Sequence, residues 1–188
     1  PEPFVANACD YETQADLEQA FMNWKDQFEV IEEGCGVEEP DLSVYSAPEI
    51  CFGSDQSVTI TYAIDDGCTQ ASCSSTFRIT AEEAPMIECY ADEIVECYAD
   101  IMGLVNGNVD LYNNGGGNVS GCRFSVRAEI PDQTDNCPNT VYEVKYIVED
   151  RCGETDECIQ KFTIQNDPPA FTFEPGNLRL ECGMYSVT

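Results

Sequence analysis

Residues 62–80, YAIDDGCTQASCSSTFRIT, are echoed by residues 146–164, YIVEDRCGETDECIQKFTI. Leading into these stretches, Val58, Ile60, Tyr62 and Ile64 alternate with polar neighbours, and Tyr142, Val144, Tyr146 and Val148 keep the same step in the second half of the chain. A period of two marks a strand with one face buried. Each strand runs into an acidic turn, Asp65-Asp66-Gly67-Cys68 or Glu149-Asp150-Arg151-Cys152, and a further strand follows through Phe77 and Ile79, or Phe162 and Ile164. The two stretches therefore predict two antiparallel hairpins, each closing a β domain.

Both hairpins are followed by a proline segment, AEEAPMIEC and QNDPPAFTF, in which Pro85 and Pro169 mark linkers. Cys35, Cys51, Cys68 and Cys73 are matched by Cys122, Cys137, Cys152 and Cys158 at offsets of 84 to 87 residues. Cys9 and Cys97 form a further equivalent pair, although aligning QADL with YADI leaves Cys9 four places early. The reading is of two units, residues 1–84 and 85–168, with the start of a third over residues 169–188, where GNLRLECGMYSVT resembles DEIVECYADIMGL and puts Cys182 in the place of Cys97. The chain opens on PEPFVANACDYE with no signal peptide, and is expected to be a mature fragment that stops part-way through a unit. The expected fold is all-β: tandem small β-sandwiches braced by disulfides, each touching only its neighbours.

Composition narrows the function. There are twelve cysteines and no histidine. Zinc sites want clustered Cys or Cys/His ligands, whereas these cysteines are dispersed, so they read as a disulfide framework made in an oxidising, extracellular place. Thirty-six acidic residues against eight basic ones give a formal charge of −28. Such a charge repels phosphate backbones and anionic lipid surfaces, which excludes nucleic acid as a partner. No apolar run approaches the roughly 18 residues that suggest a membrane span, so no direct membrane insertion is expected.

One segment departs from the strand pattern. In TQADLEQAFMNWKDQF, Leu17, Phe21, Trp24 and Phe28 fall on one helical face, with Thr13 as the cap and Asp16 in the first turn. The face reads as a helix laid across its own domain. The second unit has IMGLVNGNVDLYNNGGGN at this place, and its glycines and asparagines argue against a long helix there.

Cysteine spacing does not by itself fix connectivity. The shortest loops pair Cys51 with Cys68, and Cys137 with Cys152, at the two ends of each long hairpin; each such bond contributes about 3 kcal/mol by chain entropy. Cys9 with Cys35, and Cys97 with Cys122, are the next shortest pairs. Cys89 on the opening strand and Cys158 on the closing strand then remain to pair, and Cys73 and Cys182 are left without a mate.

The run ACDYETQADLEQAFMNWKDQF, followed by GCG, APEICFGSDQSVTITYAIDDGC and SCSSTFRIT, resembles the HYR-like, immunoglobulin-type repeats of very large secreted surface proteins of Bacteroidota. VECYADI and DNCPNTVYEVKYIVEDRCGETDECIQKFTI resemble the same repeats in a more divergent form. The resemblance implies tandem immunoglobulin-like modules of a long adhesin-like protein, related to gliding-motility adhesins and exported through the type IX system. It fixes a repeat type and not a ligand.

Nucleophilic hydrolysis by a Ser/His/Asp or Cys/His arrangement is closed to a chain without histidine, unless lysine or a carboxylate substitutes. Glu32-Glu33, Glu38-Glu39 and Asp65-Asp66 are paired carboxylates, but a catalytic pair must converge in a cleft for which a small disulfide-braced domain has little room. The GGG at 115–117 lacks the Lys-Ser/Thr of a phosphate loop, and Asn118-Val119-Ser120 matches a glycosylation acceptor. No catalytic residues are expected. Calcium is the one cofactor the sequence suggests, held by Asp65, Asp66, Glu149 and Asp150 with Glu82, Glu83 and Asp167 at the linkers, although no D-x-D-x-D-G loop is present. The expected function is a non-catalytic stalk of a bacterial surface adhesin whose partners are its neighbouring repeats and, beyond them, surface polysaccharide or other cell-surface proteins. Two rivals are a glycan-binding module, with Tyr45, Tyr112 and Tyr185 as stacking platforms, and the subunit of a self-assembling filament.

Overall fold

A computed structural model of the chain describes residues 1–30, 39–134 and 137–165. The described part is mostly strand, with two α-helices, and its buried apolar side chains gather in two separate clusters. Pro169, Cys35, Cys182, Tyr185, Asp167 and the expected third unit lie outside the described residues.

The first cluster is built by β1 (Phe4–Asn7), α1 (Gln14–Lys25), β2 (Gln56–Asp65) and β3 (Gln70–Thr80). The expected hairpin is β2–β3, antiparallel with Tyr62 opposite Cys73, while β1 runs parallel to β3 on its other side. Ile60, Tyr62, Phe77 and Ile79 point inward, as the period of two requires. Helix α1 begins at the Thr13 cap, where Thr13 and Asp16 form a reciprocal capping box. Leu17, Phe21 and Trp24 are at most 2 % exposed, and Phe28, just past the helix end, is 8 % exposed. The Phe21 ring meets Phe77 edge-on at 5.2 Å, and Phe4 stacks on the same Phe77 at 4.5 Å. The remaining members of this core come from segments outside any strand, through Leu42, Tyr45, Ala47 and Ile50. Among the described residues the layer against this sheet is thus a helix and a loop.

The second cluster is built by β4 (Met86–Glu88), β5 (Glu93–Val95), α2 (Tyr98–Asn113), β6 (Asn118–Ser120), β7 (Phe124–Glu129), β8 (Val141–Asp150) and β9 (Thr155–Ile164). Four strands form one sheet in the order β5-β9-β8-β7, and β4 pairs with β6 in a short separate ladder. The hairpin β8–β9 sets Tyr146 opposite Cys158, and β5 lies parallel to β9 as β1 does to β3. Gln160, at 0 % exposed, accepts from the Tyr146 hydroxyl at 3.0 Å and from Asn108 at 3.1 Å, and donates to the Ala91 carbonyl at 2.7 Å. A fully satisfied network of this kind stabilises a core that a half-satisfied one would weaken.

The second half contradicts the expectation of a helix-poor unit, since α2 spans 16 residues against 12 for α1. Ile101, Val105 and Tyr112 lie on one face and are buried, each side chain contributing roughly 1.5–3 kcal/mol. Gly103 and Gly107 cost only about 1 kcal/mol each relative to alanine and sit on the open side, where an added Cβ would meet nothing within 4 Å. Burial of the stripe outweighs propensity. Asn113 then ties the helix end to edge strand β7, donating to the Val126 carbonyl at 3.0 Å and accepting from the Val126 amide at 2.7 Å.

Candidate functional site

The concentration of unusual chemistry lies where the two halves meet. The β8–β9 turn is closed by Asp150, whose amide donates to the Glu154 carbonyl and whose Oδ1 accepts from the amides of Cys152 at 2.9 Å and Glu154 at 2.8 Å. Gly153 supplies the positive φ of 82° that the three-residue loop needs. Arg151 and Cys152 are therefore presented at the tip, and Cys152 packs against the first half's hydrophobic cluster.

Arg151 reaches across as a planar fork. Its Nη1 donates to the carbonyls of Tyr11 at 2.5 Å and Glu12 at 3.1 Å, and its Nη2 to that of Ala8 at 2.8 Å and to the Glu82 carboxylate. These carbonyls belong to and follow a 3-10 turn over Ala8–Asp10, capped reciprocally by Asn7 and Asp10. The pair is nearly dry: the Arg151 side chain is 17 % exposed and that of Glu82 is 6 % exposed. Burial lowers the Arg151 pKa from its usual value. A second, exposed pair, Arg123 with Glu12 at 3.3 Å, flanks it and contributes little.

Two disulfides cross the same junction. Cys9 is bonded to Cys122 and Cys51 to Cys152, with Cα separations of 5.7 and 5.3 Å. The Cys51 segment is held in place by Gln14 of α1, which donates to the Pro48 carbonyl at 2.9 Å and accepts from the Ile50 amide at 3.0 Å. A carboxylate oxygen of Glu82 lies within 4.8 Å of the sulfurs of Cys9 and Cys122, and likewise of Asp150 and Cys152. Those sulfurs are spent in disulfides, so the cluster is a covalent and ionic brace.

This arrangement corrects the expected pairings of Cys51 with Cys68, Cys137 with Cys152, Cys9 with Cys35 and Cys97 with Cys122. Cys51 precedes β2 and Cys68 follows it, and Cys137 and Cys152 flank β8 in the same way. A ten-residue strand at about 3.3 Å per residue separates such residues by about 30 Å, far beyond the roughly 7 Å that a disulfide spans. Cys122 lies near Phe124, opposite Asp150 at one end of the second sheet, whereas Cys97 follows Val95, opposite Ile164 at the other. Short loops mattered less than position, because doubling a loop costs only about 0.6 kcal/mol. Cys89 is bonded to Cys158, the pair expected from the opening and closing strands. Cys73, Cys68 and Cys97 are exposed and carry no disulfide among the described residues.

The acidic pairs have a local use. Asp65 accepts from the Gly67 amide and Gln70 side chain, both at 2.7 Å, and Asp66 from the amides of Cys68 at 2.9 Å and Thr69 at 2.7 Å. The Gln70 bond first, then the Gly67 amide, lowers the Asp65 pKa; the Thr69 amide and then that of Cys68 lower that of Asp66. Calcium needs six to eight oxygens. Among the described residues no group of three acidic or cysteine ligands gathers at the Asp65–Asp66 turn, and Asp150 gathers with Glu82 and with Cys152, whose sulfur is already in a disulfide.

Of the aromatic residues named as platforms, Tyr112 is fully buried, donates to the Glu88 carbonyl at 3.0 Å and has its pKa pushed up to about 12 by burial. Tyr45 packs against the first core. An open groove of about 630 Å³ beside the junction is lined by Glu12, Glu18, Glu49 and Arg151 among others, with no aromatic side chain among its described lining residues. No protein-family model matches the chain, and no curated protein matches it.

Proposed function

We propose that this chain is a non-catalytic extracellular spacer, in which two copies of one immunoglobulin-like module are locked end to end as part of the stalk of a bacterial surface adhesin. The observation that carries the reading is the junction: two disulfides and a buried arginine fix one half on the other where a flexible linker would have sufficed. Inter-domain contacts within a chain ordinarily permit relative motion, and covalent ties at two separated points remove it. Three disulfides among the described residues support an oxidising setting, and among those residues no helix is long and apolar enough to cross a membrane. The shared order of opening strand, helix and closing hairpin, with Tyr62–Cys73 and Tyr146–Cys158 in the same register, supports the two-copy reading. The acidic surface keeps a crowded array soluble.

Small-angle scattering of the oxidised and the reduced chain tests this. The oxidised chain is expected to give one narrow distribution of long distances, and reduction to broaden it while circular dichroism holds. Equal breadth in both states, or a compact particle, would sink the spacer reading.

A further inference from the structure

We propose that the junction is a zinc site in its thiol form: when Cys9–Cys122 and Cys51–Cys152 are reduced, the sulfurs of Cys9, Cys122 and Cys152 and the carboxylate of Glu82 hold one zinc ion.

The sequence scatters these cysteines, and the fold gathers them around one side chain. A carboxylate oxygen of Glu82 and the sulfurs of Cys9 and Cys122 all lie within 4.8 Å of one another, and Glu82 belongs to a second such group with Asp150 and Cys152. Glu82 is the residue common to both groups. Its two oxygens keep different company. Oε1 accepts from Arg151, whereas Oε2 faces the Cys152 sulfur at 3.8 Å. A sulfur in a disulfide carries no proton to donate, so this oxygen, on a side chain only 6 % exposed, has no donor in the oxidised chain. Buried carboxylate oxygens ordinarily meet a donor or a cation.

The donor set selects the ion. Thiolates are soft ligands that favour zinc over calcium or magnesium, and three sulfurs with one carboxylate oxygen complete a closed tetrahedral site. Reduction frees each cysteine to change rotamer, which moves its sulfur by about 3 Å, enough to draw the two groups together on one ion. Arg151, bonded to the other oxygen of the same carboxylate, orients Glu82 and offsets part of the thiolates' charge. Cys51 is exposed and is the thiol released from the site. Cys68, Cys73 and Cys97 are exposed and belong to neither group. Each disulfide takes two electrons and two protons from a dithiol such as dithiothreitol, which closes to its own cyclic disulfide. The thiols of Cys9, Cys122 and Cys152 then lose their protons to solvent as zinc binds.

The test reduces the full chain with dithiothreitol, removes the reductant without air, and titrates with cobalt and then zinc. The expected result is one tetrahedral cobalt site with thiolate-to-metal charge-transfer bands that zinc bleaches, and a rise in the melting temperature of the reduced chain. In peptide mapping, zinc is expected to protect Cys9, Cys122 and Cys152 from alkylation while Cys51, Cys68, Cys73 and Cys97 are labelled. Glu82→Gln is expected to shift the cobalt d–d bands, Cys9→Ser/Cys122→Ser to lose the site, and Cys68→Ser/Cys73→Ser/Cys97→Ser to keep it. Protection spread evenly over the cysteines, a site that survives Cys9→Ser/Cys122→Ser, a Glu82→Gln spectrum identical to that of the unmodified sequence, or a reduced chain that zinc neither folds nor stabilises would each overturn the proposal. None of these outcomes touches the oxidised chain, whose scattering tests the spacer reading separately.

Discussion

Arg151 concentrates four contacts with the first half in one side chain, and three of its acceptors are backbone carbonyls that no substitution in the first half removes. Arg151→Ala strands the nearly dry Glu82 carboxylate beside those carbonyls, and breaking a buried pair from one side costs about 3 kcal/mol. Urea unfolding under non-reducing conditions is expected to read that loss, with part of it recovered in Arg151→Ala/Glu82→Gln. Arg151→Lys recovers little, because an ammonium cannot fork between Tyr11 and Ala8. The acidic turn gives a pH prediction of definite sign. Asp65 and Asp66 have folded pKa values below the ordinary 3.8, so their stabilisation of the β2–β3 turn is present above that value and is lost as pH falls through the folded value. Carboxyl-detected NMR is expected to show both midpoints below 3.8, with the Gly67 and Thr69 amide shifts following the same curves; midpoints at or above 3.8 would mean that the turn is held by something else.

At the scale of elements, α1 and α2 show what periodicity carries and where propensity misleads. The spacing Leu17, Phe21, Trp24, Phe28 made α1 legible, cap included, and all four side chains are buried. The same spacing was present in Ile101, Val105, Asn108 and Tyr112, but Gly103, Gly107 and three asparagines weighed against it. A glycine on an open face withholds stabilisation without preventing the helix, so Gly103→Ala and Gly107→Ala are each expected to raise stability by about 0.5–1 kcal/mol in thermal unfolding. A loss at either position would mean that the face is covered. Both hairpins were legible for the converse reason, since an alternation of two leaves only one inward face. What the sequence could not disclose was which end of each strand a cysteine occupies relative to the other half. Cys51 and Cys68 are close in number and a full strand apart in space, whereas Cys51 and Cys152 are distant in number and bonded. The repeated acidic turn was a visible signal of a shared role, and its meaning, the presentation of a cysteine, became readable only with the turn geometry.

For the whole molecule, the junction decides whether the chain unfolds as one body or two. The two hydrophobic clusters share no buried residue, so each half has a core of its own. They are coupled by Cys9–Cys122 and Cys51–Cys152, which close loops of 113 and 101 residues, and by Arg151. A loop of that length contributes about 4–5 kcal/mol by chain entropy, although the two loops overlap and their contributions do not add. Against this stands the self-repulsion of a chain carrying −28, which salt screens over about 8 Å at physiological strength. With the ties intact, opening one half drags its neighbour's tied segments with it, and a single cooperative transition is expected in guanidinium without reductant. Replacing Cys9, Cys122, Cys51 and Cys152 with serine together leaves Cys89–Cys158 in place, and so keeps the second half braced while freeing it from the first. The expected outcome is two transitions. The first-half event is followed by Trp24 fluorescence, because Trp24 is the chain's one tryptophan and lies in the first core, and the second by tyrosine signals from the Tyr112–Tyr146 contact. Coincident transitions in that variant would show that the halves are coupled by packing and charge alone, with the disulfides adding strength but not unity.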